Sequence, residues 1–410
     1  MTKATNKYFE HYAESEVSSL SQFPTNFVFE YAIVIPAYKE PPSFVERLRK
    51  NQARQHACLF VLVINQPNSD KSTRLQIALH DYVLSIGAVM WQSPESKQSD
   101  TGSMSLVQIA DTRSAVLIVD RYRVPIACEE GVGKARKIGA DIACFLFNKQ
   151  QILSPYLHST DADASLPENY LTATNALKKD DVACCYNFFH HSPIEEVNSA
   201  NQQYELALKY YVAGLRYAQS PYAFFTIGSV IAIRFDAYIA VRGFPKKSAG
   251  EDFYLLNKVA KLGHIAWLSD ATIKLEARES DRVPFGTGPA VSKIIALMRN
   301  DEAYCYYHPR VFELLREAYQ VLPEIVAHRH DIEQCLQQLP SILQKAFESI
   351  GFIGFLKKQM SASDEQFLRQ FHVWFDAFKT LKLIHSIRDL DFADIPLKQA
   401  LLDAPFKVVH

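Results

Sequence analysis

Between residues 31 and 145 two kinds of apolar spacing alternate along the chain. YAIVIP (31–36), CLFVLVIN (58–65) and SAVLIVDRY (114–122) are short unbroken runs rich in Ile and Val, the first closed by proline, and they read as strands buried on both faces. SFVERLRKNQARQ, STRLQIALHDYVLSIG and GVGKARKIGADIACFLF instead read as helices; in the last, Ala135, Ile138, Ile142 and Phe145 recur at helical spacing and glycines stand at the entry. Strands alternating with amphipathic helices predict an α/β fold, a mostly parallel sheet with helices on both faces.

Further on, VACCYNFFHH (182–191) reads as a strand, NQQYELALKYYVAGLRYAQS as a long helix and Ser229–Arg234 as a strand opening into a helix. GEDFYLLNKVAKLG is a short helix with Glu251 and Asp252 in its first turn and Gly263 as C-cap, and HIAWLSDATIKLEAR reads as two short strands. The polar, aperiodic stretch QSPESKQSDTGSMS (92–105) reads as a mobile surface loop. From about residue 290 long helical spacings take over, as in PRVFELLREAYQVL and DEQFLRQFHVWFDAFKTLKLIHSI. The expected organisation is an N-terminal extension over 1–30, an α/β domain over 31–295 and a helical C-terminal region over 296–410.

Composition adds exclusions. In 410 residues, 48% are apolar and 22% charged, which suits a globular chain and not a disordered one. Lys and Arg number 44 against 45 Asp and Glu, so no global field draws in nucleic acid or an anionic membrane. Seven cysteines without a CxxC pair predict reduced, mostly buried thiols. MTKATNKYFEHYAESEV lacks a leader's apolar stretch, and no window reaches the ~18 apolar residues of a membrane span, so the expected location is cytoplasmic. The aromatic-rich C-terminal region leaves peripheral membrane contact and homo-oligomer formation open.

Candidate chemistry begins at HSTDADASLPENYL (158–171), where Asp161 and Asp163 stand two apart near the end of an expected strand. On extended backbone such side chains point the same way, and two carboxylates sharing a small volume suit a hard cation, Mg²⁺ or Mn²⁺. A plain Asp-rich turn is the ordinary alternative, but ligands of open α/β sheets bind beyond strand ends. In GEDF, capping explains Glu251 and Asp252, and the helix dipole would keep Asp252 ionised, as a general base requires. In EEGVGKARKIGAD, Cys128 excludes a Walker A loop and Arg136 a dinucleotide fingerprint; Lys134, Arg136 and Lys137 would either contact phosphates or form a solvated basic face. Arg278 and Arg282 in ARESDRVPFGTGPAV suit closure over a diphosphate, or an ordinary surface loop. HExxH and GxSxG are absent, which removes zincin and serine-hydrolase chemistry.

In this order YAIVIPAYKE, GVGKARKIGADIA, STDADASLPENYL and GSVIAIRFDAYIAVRGFPKKSAGEDFYLL resemble the motifs of glycosyltransferase family 2, nucleotide-sugar transferases of GT-A, Rossmann-like fold, over residues 31–290. The resemblance implies that Pro36, Ala37 and Glu40 line the donor nucleotide pocket with Lys134, Arg136 and Asp161, and that Asp161 and Asp163 hold Mn²⁺ or Mg²⁺. It implies that Gly228 and Ser229 face donor sugar or acceptor, that Asp252 is the base of an inverting transfer to an acceptor hydroxyl, and that Glu251 contacts acceptor or sugar. This chain departs from the family where an acidic turn commonly follows the second strand: it has Asn65-Gln66-Pro67-Asn68-Ser69-Asp70, placing Asn65 at the donor base. ATIKLEAR offers no histidine ligand after the ED helix, and the QxxRW segment of processive members is missing. Rival readings are a retaining enzyme acting on a small glycerate-like acceptor, a sugar-1-phosphate nucleotidyltransferase, whose Gly- and Arg-rich first loop is replaced here by PAYKEPPS, and a non-catalytic scaffold.

Overall fold

The computed structural model describes residues 2–94, 100–277 and 286–408. The chain forms two compact units, Met1–Ser192 with Thr226–Gly286, and Pro193–Phe225 with Thr287–His410.

The first unit is built on a ten-stranded sheet: β1 (Tyr31–Ala37), β2 (Cys58–Pro67), β3 (Gly87–Gln92), β4 (Met104–Ile109), β5 (Ala115–Ile126), β6 (Tyr156–Ser159), β7 (Ala164–Ser165), β8 (Asp181–His191), β9 (Ile231–Arg234) and β10 (His264–Glu276). Their order is β3-β4-β5-β2-β1-β6-β9-β8-β10-β7. β4, β7 and β9 run against the other strands, so the sheet is mixed and mostly parallel, as the alternating sequence predicts. Ile33, Val34, Val61 and Val63 are fully buried, which is why β1 and β2 read as unbroken apolar runs. The helix Gly131–Asn148 packs across β1 and β2, and it carries Arg136 toward their C-terminal ends.

The division into units differs from the expected one. Segment 1–30 belongs with the sheet: Tyr8 Oη donates to Asp141 Oδ1 at 2.5 Å, Tyr238 Oη to the same oxygen at 2.8 Å, and the Glu14 amide to Asp141 Oδ2 at 2.8 Å. The long helix Glu195–Tyr217 belongs instead to the second unit, whose apolar core takes in Tyr210 and Leu215. Strands β3 and β4 were not anticipated, being six residues each at the antiparallel edge; β4 begins inside the stretch read as a loop. HIAWLSDATIKLE is one strand with a register shift between Leu268 and Thr272, not two.

The second unit is helical, with Pro309–Gln320, Ser341–Ser349, Phe352–Gln359, Asp364–Trp374 and Ala377–Leu390 among its helices. Its core combines Leu, Ile, Val and Ala with an aromatic cluster, Phe312, Phe347, Phe352, Phe367, Phe371 and Phe375, all buried. Among the described residues no helix is long and apolar enough to cross a membrane.

Candidate functional site

Arg136 is the centre of the site. It leaves the second turn of its helix and is 3% exposed, so the reading of a solvated basic face does not hold for this residue. Its Nε donates to Glu251 Oε1 at 2.8 Å, Nη1 to Ser159 Oγ at 2.9 Å and Nη2 to Asp161 Oδ1 at 2.6 Å. One planar guanidinium thus ties the end of β6 to the first turn of the Glu251–Val259 helix. Burial works against the charged form of Arg136, and the carboxylates of Asp161, Glu251 and Asp252 overcome it and hold the pKa above its ordinary value.

Gly228 explains how the guanidinium fits. A Cβ there would lie 2.6 Å from Arg136 Nη2 and 2.9 Å from Cζ, so any side chain would displace the fork. Ser229 is buried beside it at the entry to β9. Gly133 at the helix entry serves close packing: a Cβ there would meet the Pro245 carbonyl oxygen at 2.4 Å, and the Gly133 amide donates to the Lys247 carbonyl at 3.0 Å.

Asp252 sits partly exposed in the first turn of its helix, and its Oδ1 accepts from the Phe253 amide at 2.7 Å. Its pKa is pushed up to about 7, by burial first and then by the negative charge of Glu251, against the lowering effects of the Phe253 amide and Arg136. Desolvation and the neighbouring carboxylate thus act against the ionised form that the helix dipole was expected to favour.

Asp161 lies just past β6, and a turn runs through Ala162 and Asp163, so the two aspartates do not share one extended strand as the spacing predicts. The turn is pinned from three sides. The Thr160 amide donates to Val34 O at 3.1 Å, Arg47 Nη2 to Ala162 O at 3.0 Å, and the Glu276 amide to Asp163 O at 3.2 Å. Among the described residues no three His, Cys, Asp or Glu side chains are grouped to hold a metal by themselves.

A second wall stands at the ends of β1 and β2. Pro36 and Ala37 are paired with Val63 and Ile64, and Glu40 is 8% exposed in the following loop. Asp70, in the loop after β2, accepts from Tyr38 Oη at 2.7 Å and pairs with Lys39 Nζ at 2.8 Å. Lys39, the Ser72 amide and Tyr38 hold the Asp70 carboxyl well below the usual range. Asn65 Oδ1 and Gln66 Oε1 are buried and without a hydrogen-bond partner among the described residues. Exposed Cys128 donates from Sγ to Asn68 Oδ1 at 3.0 Å.

The structure therefore gathers Arg136, Asp161, Glu251, Asp252 and Gly228 at one point. It does not bring Lys134 there: Nζ pairs with Glu130 Oε2 at 2.6 Å, at the N-cap of its own helix. Arg278 and Arg282 lie outside the described residues. Sequence reasoning missed Ser159, Tyr38 and Arg47, whose roles depend on contacts across the sheet that no local spacing announces.

No protein-family model matches the chain, and no curated protein matches it. Among solved structures it is similar to S. aureus TarS 1-349 in complex with UDP-GlcNAc, at 12% identity over 88% of this chain and 89% of that one, with a TM-score of 0.39. It is also similar to the mannosyltransferase PcManGT from Pyrobaculum calidifontis in complex with GDP-Man and Mn²⁺, at 13% identity over 95% and 94% of the two chains and a TM-score of 0.39. GalNAc-T7 with UDP, GalNAc and Mn²⁺ is matched at 12% identity over 84% of this chain and 57% of that one, with a TM-score of 0.36.

Proposed function

We propose that the chain is a GT-A-type glycosyltransferase that moves a sugar from a nucleotide-sugar donor to an acceptor hydroxyl with a divalent cation. The observation that carries this reading is the convergence of three carboxylates on one buried guanidinium where parallel strands end. With all four groups ionised the cluster has more negative than positive charge, and a buried excess of that kind is relieved by a proton or by a cation.

Asp161 and Asp163 would hold the cation in the way hard ions are commonly held with nucleotides, by one or two carboxylates with the remaining ligands drawn from phosphate. Bound there, Mn²⁺ or Mg²⁺ would neutralise charge on the departing diphosphate. The end of β2 and the loops after β1 and β2 would receive the nucleoside, and the unpartnered Asn65 and Gln66 oxygens of that strand end suit donors on a base. Asp252, with a pKa near 7, is matched to taking a proton from the acceptor hydroxyl as that oxygen attacks the anomeric carbon. The bond from that carbon to the diphosphate oxygen breaks in the same step, which inverts the anomeric centre. Glu251 would then hold Arg136 in place and, through its charge, tune Asp252.

The test is a mass-spectrometric screen of UDP-, GDP-, dTDP- and CDP-sugars with Mn²⁺ and pooled hydroxyl acceptors, for wild type and Asp252→Asn. The expected result is one productive donor, with transfer lost in the variant and donor binding kept. Unchanged turnover in Asp252→Asn would remove it from the base role, and nucleotidyl transfer instead of glycosyl transfer would replace the reading.

A further inference from the structure

The second unit carries a basic and aromatic patch that the proposed transfer chemistry does not use. Trp374, at the end of the helix Asp364–Trp374, is half-buried and stacks on Phe355 at a centroid distance of 4.9 Å. Lys379 lies over the same indole at 4.6 Å and donates from Nζ to the Ile350 carbonyl at 2.6 Å. One residue earlier Phe378 is 39% exposed, unusual for a phenylalanine, and Lys382 lies over its ring at 4.6 Å. The helix Phe352–Gln359, which supplies Phe355, ends with exposed Lys357 and Lys358. Segments 350–358 and 374–382 together hold four lysines and one acidic residue, Asp376, in a chain whose overall net charge is -1.

We infer that this face, built by Trp374, Phe378, Lys357, Lys358, Lys379 and Lys382, docks the protein on the surface of an anionic lipid bilayer. Large aromatic rings with one polar or cation-capped edge sit at the headgroup level, and clustered lysines are drawn to anionic headgroups. The charge of the patch selects this occupant over a second copy of the chain, because a twofold contact would set lysines against lysines. Burial and the neighbouring charge of Lys382 lower the Lys379 pKa, a repulsion that an anionic headgroup relieves. The patch lies wholly within the second unit, so the inference does not depend on the proposed transfer chemistry.

The experiment is co-sedimentation of the full chain with phosphatidylcholine vesicles and with vesicles containing about one-third phosphatidylglycerol, at low and high salt. Binding is expected only to the anionic vesicles and should weaken as salt shortens the screening length. Each lysine replaced in Lys357→Ala, Lys358→Ala or Lys382→Ala should weaken it about fivefold. Phe378→Ala, at an exposed position, should keep the wild-type melting temperature while losing binding. Failure to sediment with either vesicle, equal binding to both, or binding indifferent to all four substitutions would each overturn the inference. So would concentration-dependent dimerisation abolished by these substitutions without vesicle binding, which would make the patch a self-association surface. Nucleotide-induced thermal stabilisation of the same variants should stay at the wild-type value, which separates failure of this inference from failure of the proposed function.

Discussion

Replacing Arg136 by Met tests the electrostatic design of the site most severely. The side chain is 3% exposed and joins Glu251 at 2.8 Å and Asp161 at 2.6 Å, so its loss leaves a buried glutamate and two neighbouring aspartates without their guanidinium. Removing one partner of a buried ion pair costs about 3–5 kcal/mol. The first unit has about 250 residues, for which 1 kcal/mol moves the melting temperature by about 2–4 °C, so the unit should melt roughly 6–20 °C lower at pH 8. The pH dependence carries the sharper information. Burial and the charge of Glu251 already push the Asp252 pKa up to about 7, above its unfolded value, and Arg136 is one of the groups holding it down. Without Arg136 its folded pKa rises further. A carboxyl with a raised folded pKa favours the folded state most at low pH, and that contribution is lost as pH rises from about 4 through the folded value. The variant's deficit should therefore shrink from pH 8 to pH 5 in differential scanning calorimetry. A loss under about 3 °C, or one constant across that range, would show that Arg136 does not balance these carboxylates.

Gly228→Ala should cost about 1–3 kcal/mol by pressing on the guanidinium, and the cost should vanish in an Arg136→Met background; strictly additive melting shifts would contradict the contact. With the donor found, kcat/KM should rise with slope one to a limb near pH 7, move to lower pH in Glu251→Gln, and fall about 10²- to 10⁴-fold in Asp252→Asn; a limb near pH 4 would contradict the shifted Asp252. Phe347, 1% exposed and 4.8 Å from the Phe352 ring, anchors the second unit, so Phe347→Ala should lower its unfolding transition by about 3–5 kcal/mol, and a smaller loss than 1 kcal/mol would show that the aromatic cluster repacks.

Much of the sheet was legible because burial on both faces writes unbroken apolar runs, as at β1, β2 and β5. The edge strands were not: in β3, Val89 and Met90 are 46% and 49% exposed, so the run carries no core-facing period. Membership of the helix Glu195–Tyr217 in the second unit was hidden too, since an amphipathic stripe does not name the surface that covers it. In the site, local spacing singled out Asp161, Glu251 and Asp252, while the role of Arg136 emerges only when residues 25 and 115 positions away meet it. The Asp252 shift was likewise illegible, because desolvation is a property of the packed chain and not of a helix start.

Calorimetric titration of the full chain with UDP, GDP, dTDP and CDP, each with and without Mn²⁺, decides whether the site takes a nucleoside diphosphate through a cation. Saturable binding of one nucleoside diphosphate that requires the cation and is lost in Asp161→Asn and Asp163→Asn is the predicted result. Heat from none of the four at millimolar concentration, or an affinity indifferent to both cation and aspartates, would contradict it.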